Sequence, residues 1–189
     1  MLKLEDIEKM TKEYGEEWAY PHICRVRTLV DLISPGIPHD PEALTYAIYL
    51  HDWGALPKFV QPGVDHALLS AQIAREQILP QTGLPASTVS VILEAIALHD
   101  YRCPDPAPTN ESLLLREADF LDFIGAIGIA REIARGPKNL QKCRANVLAR
   151  RDGVKDRFTI PAARALAEQR LTEMNHFLKL LEAESFGYL

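Results

Sequence analysis

An all-α fold is what this sequence predicts, on three observations. Apolar residues recur at spacings of three and four along most of the chain. No segment alternates β-branched and polar residues as a half-buried strand does, and Asp, Asn, Ser, Pro and Gly stand where helices start and stop. The length of 189 residues suits one domain over 1–189, and a content of 47% apolar and 25% charged residues is that of ordinary globular proteins.

Each element has its own signal. Pro21 precedes a run in which His22, Val26, Leu29, Val30 and Ile33 share a helical face, and Pro35-Gly36 ends it. Asp40 as N-cap with Pro41 at the first helical position predicts a helix through Leu44, Ala47 and Ile48 to His51. After a loop over Gly54 to Gly63, Asp65 is placed to cap a helix with His66, Leu69, Ser70, Ile73 and Ala74 inward. Ser87 or Thr88 is the candidate cap of the next, whose face reads Val89, Ile92, Leu93, Ile96 and His99, and a proline-rich loop over Tyr101 to Asn110 follows. Asn110 then caps a stretch with Leu115, Asp119 and Asp122 on one side, running on through Ile124 and Ile129 to a break at Gly136-Pro137. Asn139 to Arg150 and Pro161 to Glu184 read as amphipathic helices, the second facing inward with Leu166, Leu171, Met174, Leu178 and Leu181, and Arg151 to Asp156 between them reads as a flexible loop.

Charge and cysteine usage narrow the function. Lys and Arg number 21 against 26 Asp and Glu, a net charge of −5, which provides no electrostatic footprint for a nucleic acid polymer or an anionic membrane. Residues 1–12 have no apolar signal core and no run approaches a membrane span, so a soluble, cytoplasmic chain is expected. The three cysteines, Cys24, Cys103 and Cys143, are widely separated, as free thiols in a reducing compartment would be.

The chemistry lies in the histidines. His22, His51, His66 and His99 and at least two acids fall on inward faces, mostly near helix ends, where an unpaired buried charge costs several kcal/mol. A divalent metal compensates that cost, because imidazole nitrogen and carboxylate oxygen are its ligands. For each histidine alone, a hydrogen-bonded core residue is the competing reading. His39 and His176 fall outside the pattern and are expected at the surface.

These residues carry a family resemblance. His22, the doublet His51-Asp52 and the distant Asp119 match the H…HD…D signature of HD-domain metal-dependent phosphohydrolases. Three strings support it: His22-Ile-Cys-Arg25-Val26; His51-Asp52-Trp-Gly with Lys58-Phe59 following; and Ala118-Asp119-Phe-Leu-Asp122-Phe-Ile-Gly-Ala-Ile-Gly-Ile-Ala-Arg131. The last string is similar to HD proteins of the bacterial nucleotide-pyrophosphohydrolase type, although Glu117 and Phe120 stand where that type has aspartate and arginine. The resemblance spans about 18–136 and implies a multi-helix HD-domain bundle with the C-terminal helices packing on it. His66 and His99 match the longer H…HD…H…H…D ligand set, which the resemblance associates with two metals. Asp100, which follows His99, reads as a helix-terminal acid or one that orients a ligand.

The resemblance implies a small phosphorylated substrate, nucleotides included, and one or two divalent ions, with Mn, Fe, Co, Ni and Mg all compatible with a thiolate-free site. Asp52 is the natural bridging carboxylate and the first catalytic candidate. Lys58 and Arg102, on loops after ligand-bearing helices, are candidate contacts to the phosphoryl group. Arg25, one turn after His22, is open to a supporting role at the site or to pairing with Glu94 or Asp122. Asp122 is open to orienting a ligand histidine or to a purely structural role, and Arg131 reads as structural. Two other classes remain open: a di-iron HD-domain oxygenase, and a non-catalytic ligand-binding module. The sequence is silent on oligomeric state.

Overall fold

The computed structural model describes residues 1–136 and 139–189, so Pro137 of the expected Gly136-Pro137 break lies outside the described residues. These residues contain helices and no strand. The α-helices are α1 (Leu4–Tyr14), α2 (Glu16–Ile33), α3 (Pro41–Leu50), α4 (His66–Ile73), α5 (Ala86–Leu98), α6 (Asn110–Asp122), α7 (Gly125–Arg135), α8 (Leu140–Val154) and α9 (Pro161–Glu184). The chain divides into two compact units, Met1–Ala118 and Asp119–Leu189, with the division falling inside α6.

In the first unit, α3 packs on α5, α4 packs on α5 and on a short 3₁₀ turn at Trp53–Ala55, and α1 packs on α2 and α3. Its interior is filled by Ile23, Val26, Leu44, Leu50, Ile92, Ile96, Leu114 and Leu115, all at most 2% exposed, the inward stripe that the three-and-four spacing predicts. The caps expected at Asp40 and Asp65 form: Asp40 accepts from the Glu42 and Ala43 amides, and Asp65 from those of Ala67 and Leu68. In the second unit α7 packs on α8 and α9, around Val147, Met174 and Leu178.

Several boundaries differ from the sequence reading. Helix α1 has no counterpart there; its inward residues, Ile7 and Thr11, are one turn apart and too few to stand out as a stripe. Helix α2 starts at Glu16 and runs through Pro21, tolerating the lost amide because Ala19 and Ile23 on either side are buried. Neither Ser87 nor Thr88 caps α5, which begins at Ala86 after Pro85 without a side-chain cap. Thr109, one residue before the expected cap, accepts the Ser112 amide at 3.2 Å, while the Asn110 side chain donates to the Pro38 carbonyl. The stretch expected to continue through Ile129 breaks at Gly125, whose φ of 74° lies in the left-handed region. Arg151 to Asp156 is not a loop: α8 extends to Val154, whose side chain is fully buried.

Candidate metal centre

Two helices of the first unit end in the same way. His51 directly follows α3 and His99 directly follows α5, where the last carbonyls of a helix lack intrahelical donors. Each ring fills that need within its own helix: His51 Nδ1 pairs with the Ile48 carbonyl at 2.8 Å, and His99 Nδ1 with the Ile96 carbonyl at 2.6 Å. A carbonyl only accepts, so both Nδ1 atoms donate to it, and the Nε2 atom of each ring is turned toward the cluster. The C-terminal ends of α3 and α5 also bring partial negative charge, which favours a cation beside them.

His22 on α2 completes the first part of the cluster, its Nε2 lying 3.2 Å from that of His51. Asp52 sits between two pairs of rings. Its Oδ2 is 3.4 Å from His22 Nε2 and 3.7 Å from His51 Nε2, while its Oδ1 is 3.3 Å from His66 Nε2 and 3.6 Å from His99 Nε2. One carboxylate therefore faces two lobes, one oxygen to each. Burial pushes the Asp52 carboxyl up, but the field of His51 and the hydrogen bonds of His22, His66 and His99 outweigh it and hold the group well below the usual carboxylate range. Asp52 is thus an anion and a ready ligand.

Asp100 is the site residue that sequence reasoning underrated, although its signal was present as a second His-Asp dipeptide. It is buried, and its Oδ2 lies 3.4 Å from His66 Nε2. Arg102 grips it from the loop side, with Nε 2.8 Å from Oδ1 and Nη2 2.7 Å from Oδ2. Burial raises the Asp100 carboxyl, and these hydrogen bonds reverse the effect and lower it. Arg116, on α6, was missed entirely. It donates to the Leu98 carbonyl and to the Asp105 carbonyl, both at 2.7 Å, and so ties down the segment that carries His99 and Asp100.

The doublet His51-Asp52 is anchored from behind. Trp53 Nε1 donates to Thr11 Oγ1 on α1, and the Gly54 amide donates to Ser70 Oγ on α4 at 2.7 Å. A Cβ at Gly54 would overlap the His66 carbonyl oxygen and lie 2.8 Å from the Ser70 nitrogen, both backbone atoms that cannot yield alone. Gly54→Ala is therefore expected to cost about 2–3 kcal/mol by overpacking. Chemical denaturation of the two proteins measures it, and an unchanged midpoint would show that the turn adapts freely.

The remaining sequence candidates are placed as follows. Lys58 holds its ammonium over the Tyr14 ring, 3.4 Å from its centroid, a cation–π contact with α1. Arg25 is half-buried on α2. Asp119 is buried on α6, at the start of the second unit. Asp122 is buried and pairs with Arg131 within the second unit. His39 is half-buried against the Ile37 carbonyl, and His176 is exposed. All three cysteines are free thiols.

The donor set fits a divalent cation. One ligand atom from each of His51, Asp52 and His99 lies within 4.8 Å of the others, and the same holds for His66, His99 and Asp100. Nitrogen and carboxylate donors without a thiolate suit a catalytic rather than a thiolate-type structural ion. Fold and cluster together thus define an all-α protein with a candidate histidine–aspartate metal centre.

The chain belongs to the HD domain family, whose model matches residues 19–124, and it has the HD superfamily hydrolase fold. It is similar to a predicted HD superfamily hydrolase from an uncultured Thermotogales bacterium, with 27% identity over 96% of this chain and 92% of that one and a TM-score of 0.66. It also resembles YpgQ of Bacillus subtilis, solved in complex with ADP, at 22% identity over 98% and 99% of the two chains with a TM-score of 0.74. An HD-superfamily hydrolase from Bacillus thuringiensis matches at 19% identity over 97% and 95%, with a TM-score of 0.68. No curated protein matches the sequence. Among the described residues no helix is long and apolar enough to cross a membrane.

Proposed function

We propose that this protein hydrolyses a phosphoester or phosphoanhydride bond of a small phosphorylated metabolite, using one or two divalent ions held by the histidine–aspartate cluster. The observation that carries the reading is Asp52, whose two oxygens face separate pairs of imidazole nitrogens at 3.3–3.7 Å. His22, His51 and Asp52 would hold the first ion, with Asp119 joining them as the family signature implies. His66, His99 and Asp100 would hold the second, with Asp52 shared. When bound, a divalent cation would lower the pKa of a water molecule towards ~7 and polarise a phosphoryl oxygen.

The chain's own groups do the rest. The Nδ1–H bonds of His51 and His99 to their helix carbonyls lock both rings, so their Nε2 atoms are preorganised to serve as ligands. Arg102, with its side chain 59% exposed beside the buried Asp100, would bring positive charge to the phosphoryl oxygens of an incoming substrate. Nucleotides belong in the substrate class to be tried, since the Bacillus subtilis neighbour was solved with ADP.

The test is a screen of metal-stripped protein, reloaded with Mn, Fe, Co, Ni or Mg, against a generic phosphoester and a panel of nucleotides and sugar phosphates. Phosphate or pyrophosphate release that requires added metal is the expected outcome. Dioxygen uptake by the iron-loaded protein, with no phosphate release from any compound, would replace the hydrolase with an oxygenase.

A further inference from the structure

Helix α1 leaves no stripe in the sequence, yet it meets both helices that lead into the first-lobe donors. The meeting is made by one carboxylate. Glu8 Oε1 accepts from the Tyr20 hydroxyl of α2 at 2.8 Å, and Glu8 Oε2 accepts from the Tyr49 hydroxyl of α3 at 3.2 Å. The Lys12 ammonium, 2.6 Å from Oε1, and then the Tyr20 hydroxyl hold the Glu8 carboxyl below its usual value, so the group stays an anion that only accepts. Tyr20 stands two residues before His22, and Tyr49 two residues before His51. Each oxygen of Glu8 therefore grips one of the two helices whose histidines approach to 3.2 Å in the cluster. Thr11, one turn further along α1, adds a third tie. It is fully buried, and its Oγ1 donates to the Ile7 carbonyl at 2.8 Å and accepts from Trp53 Nε1 at 3.1 Å; Trp53 directly follows Asp52. The three ties thus end beside His22, His51 and Asp52, and none of them runs to α4 or α5.

We propose that Glu8 is a positioning residue of the metal centre: by holding α2 through Tyr20 and α3 through Tyr49, it sets the spacing of His22 from His51 and Asp52, and with it the affinity for the first ion. The inference rests on the cluster being a metal centre. Glu8 acts through the two tyrosines rather than on a donor atom. A ligand set works only when its members are held within about 0.5 Å of a common geometry by the groups around them, and loss of such support typically lowers metal affinity by about 10–100-fold. The backbone links Tyr20 to His22 and Tyr49 to His51 across two residues each, so a shift of either helix against α1 is passed to its histidine.

The experiment is calorimetric titration of Mn²⁺ into the metal-stripped full chain, comparing wild type with Glu8→Ala, Glu8→Gln, Tyr20→Phe and Tyr49→Phe, and with Val147→Ala, which removes buried apolar volume from the second unit instead. Thermal melts of the same proteins report stability. Glu8→Ala should weaken the tightest Mn²⁺ step about tenfold, and each single hydroxyl deletion about threefold. Glu8→Gln, which keeps one acceptor oxygen, should recover part of the loss. Adding Tyr49→Phe to Glu8→Ala should weaken binding no further, because both remove the same tie; full additivity would overturn the shared path. Val147→Ala should lower the melting temperature and leave the Mn²⁺ affinity of the folded chain unchanged. An equal loss of affinity in Val147→Ala would trace the effect to stability alone and overturn the positioning role. Unchanged affinity in Glu8→Ala and in both hydroxyl deletions would overturn it while the metal centre stands, and if Glu8→Ala does not fold, the hydroxyl deletions decide. Absence of any Mn²⁺ binding in wild type would remove the metal centre and the positioning role together.

Discussion

Asp52→Ala is expected to reduce metal-dependent phosphate release by about a thousandfold, to near the uncatalysed background. The magnitude follows from its position. Asp52 turns one oxygen to each of the two histidine pairs, so its removal costs both lobes a ligand and leaves four imidazoles without the anion between them. The substitution creates little packing defect, because the group is partly exposed and anchoring belongs to Trp53 and Gly54. Circular dichroism should therefore report an unchanged helical fold beside the lost activity. Full activity in this variant would place the chemistry elsewhere on the molecule.

The second large effect is on metal content. Under saturating Mn²⁺ the wild-type ratio is expected to be about two ions per chain, and His66→Ala and His99→Ala should each bring it towards one. His22→Ala is expected to strip the first lobe and, through the shared Asp52, to weaken the second; Asp119→Ala should resemble it. The difference between these sets of variants, read by elemental analysis of equilibrated protein, separates a two-ion centre from a single ion with His66 and His99 as neighbours. One ion in wild type and in both histidine variants would leave only the first lobe as a metal site and would also remove the di-iron oxygenase.

Much of this was legible because it depends on local sequence. Asp40-Pro41 and Asp65 announce helix starts because a side-chain carboxylate satisfies free amides wherever it occurs. The inward stripe of α5 is legible for the same kind of reason, since burial repeats with the helical turn. Four histidines marked as inward do converge around Asp52 in the first unit. Where the reading failed, a distant contact outweighed a local preference. Burial of Val154 carries α8 through Gly153, and burial on both sides of Pro21 keeps α2 continuous through a residue that ordinarily breaks a helix.

The helical class, the histidine-bearing helix ends and the donor types can be read from the order of residues alone, because periodicity, capping and ligand type are properties of short segments and single side chains. How those donors are arranged depends on packing between segments far apart in the chain. That Asp52 turns one oxygen to each lobe, that Asp100 joins His66 and His99, and that Arg116 holds the segment bearing them are consequences of α3, α4, α5 and the start of α6 meeting in space. A histidine in a sequence does not announce which ring nitrogen faces a site; the carbonyls behind His51 and His99 hold Nδ1 and so turn Nε2 toward Asp52.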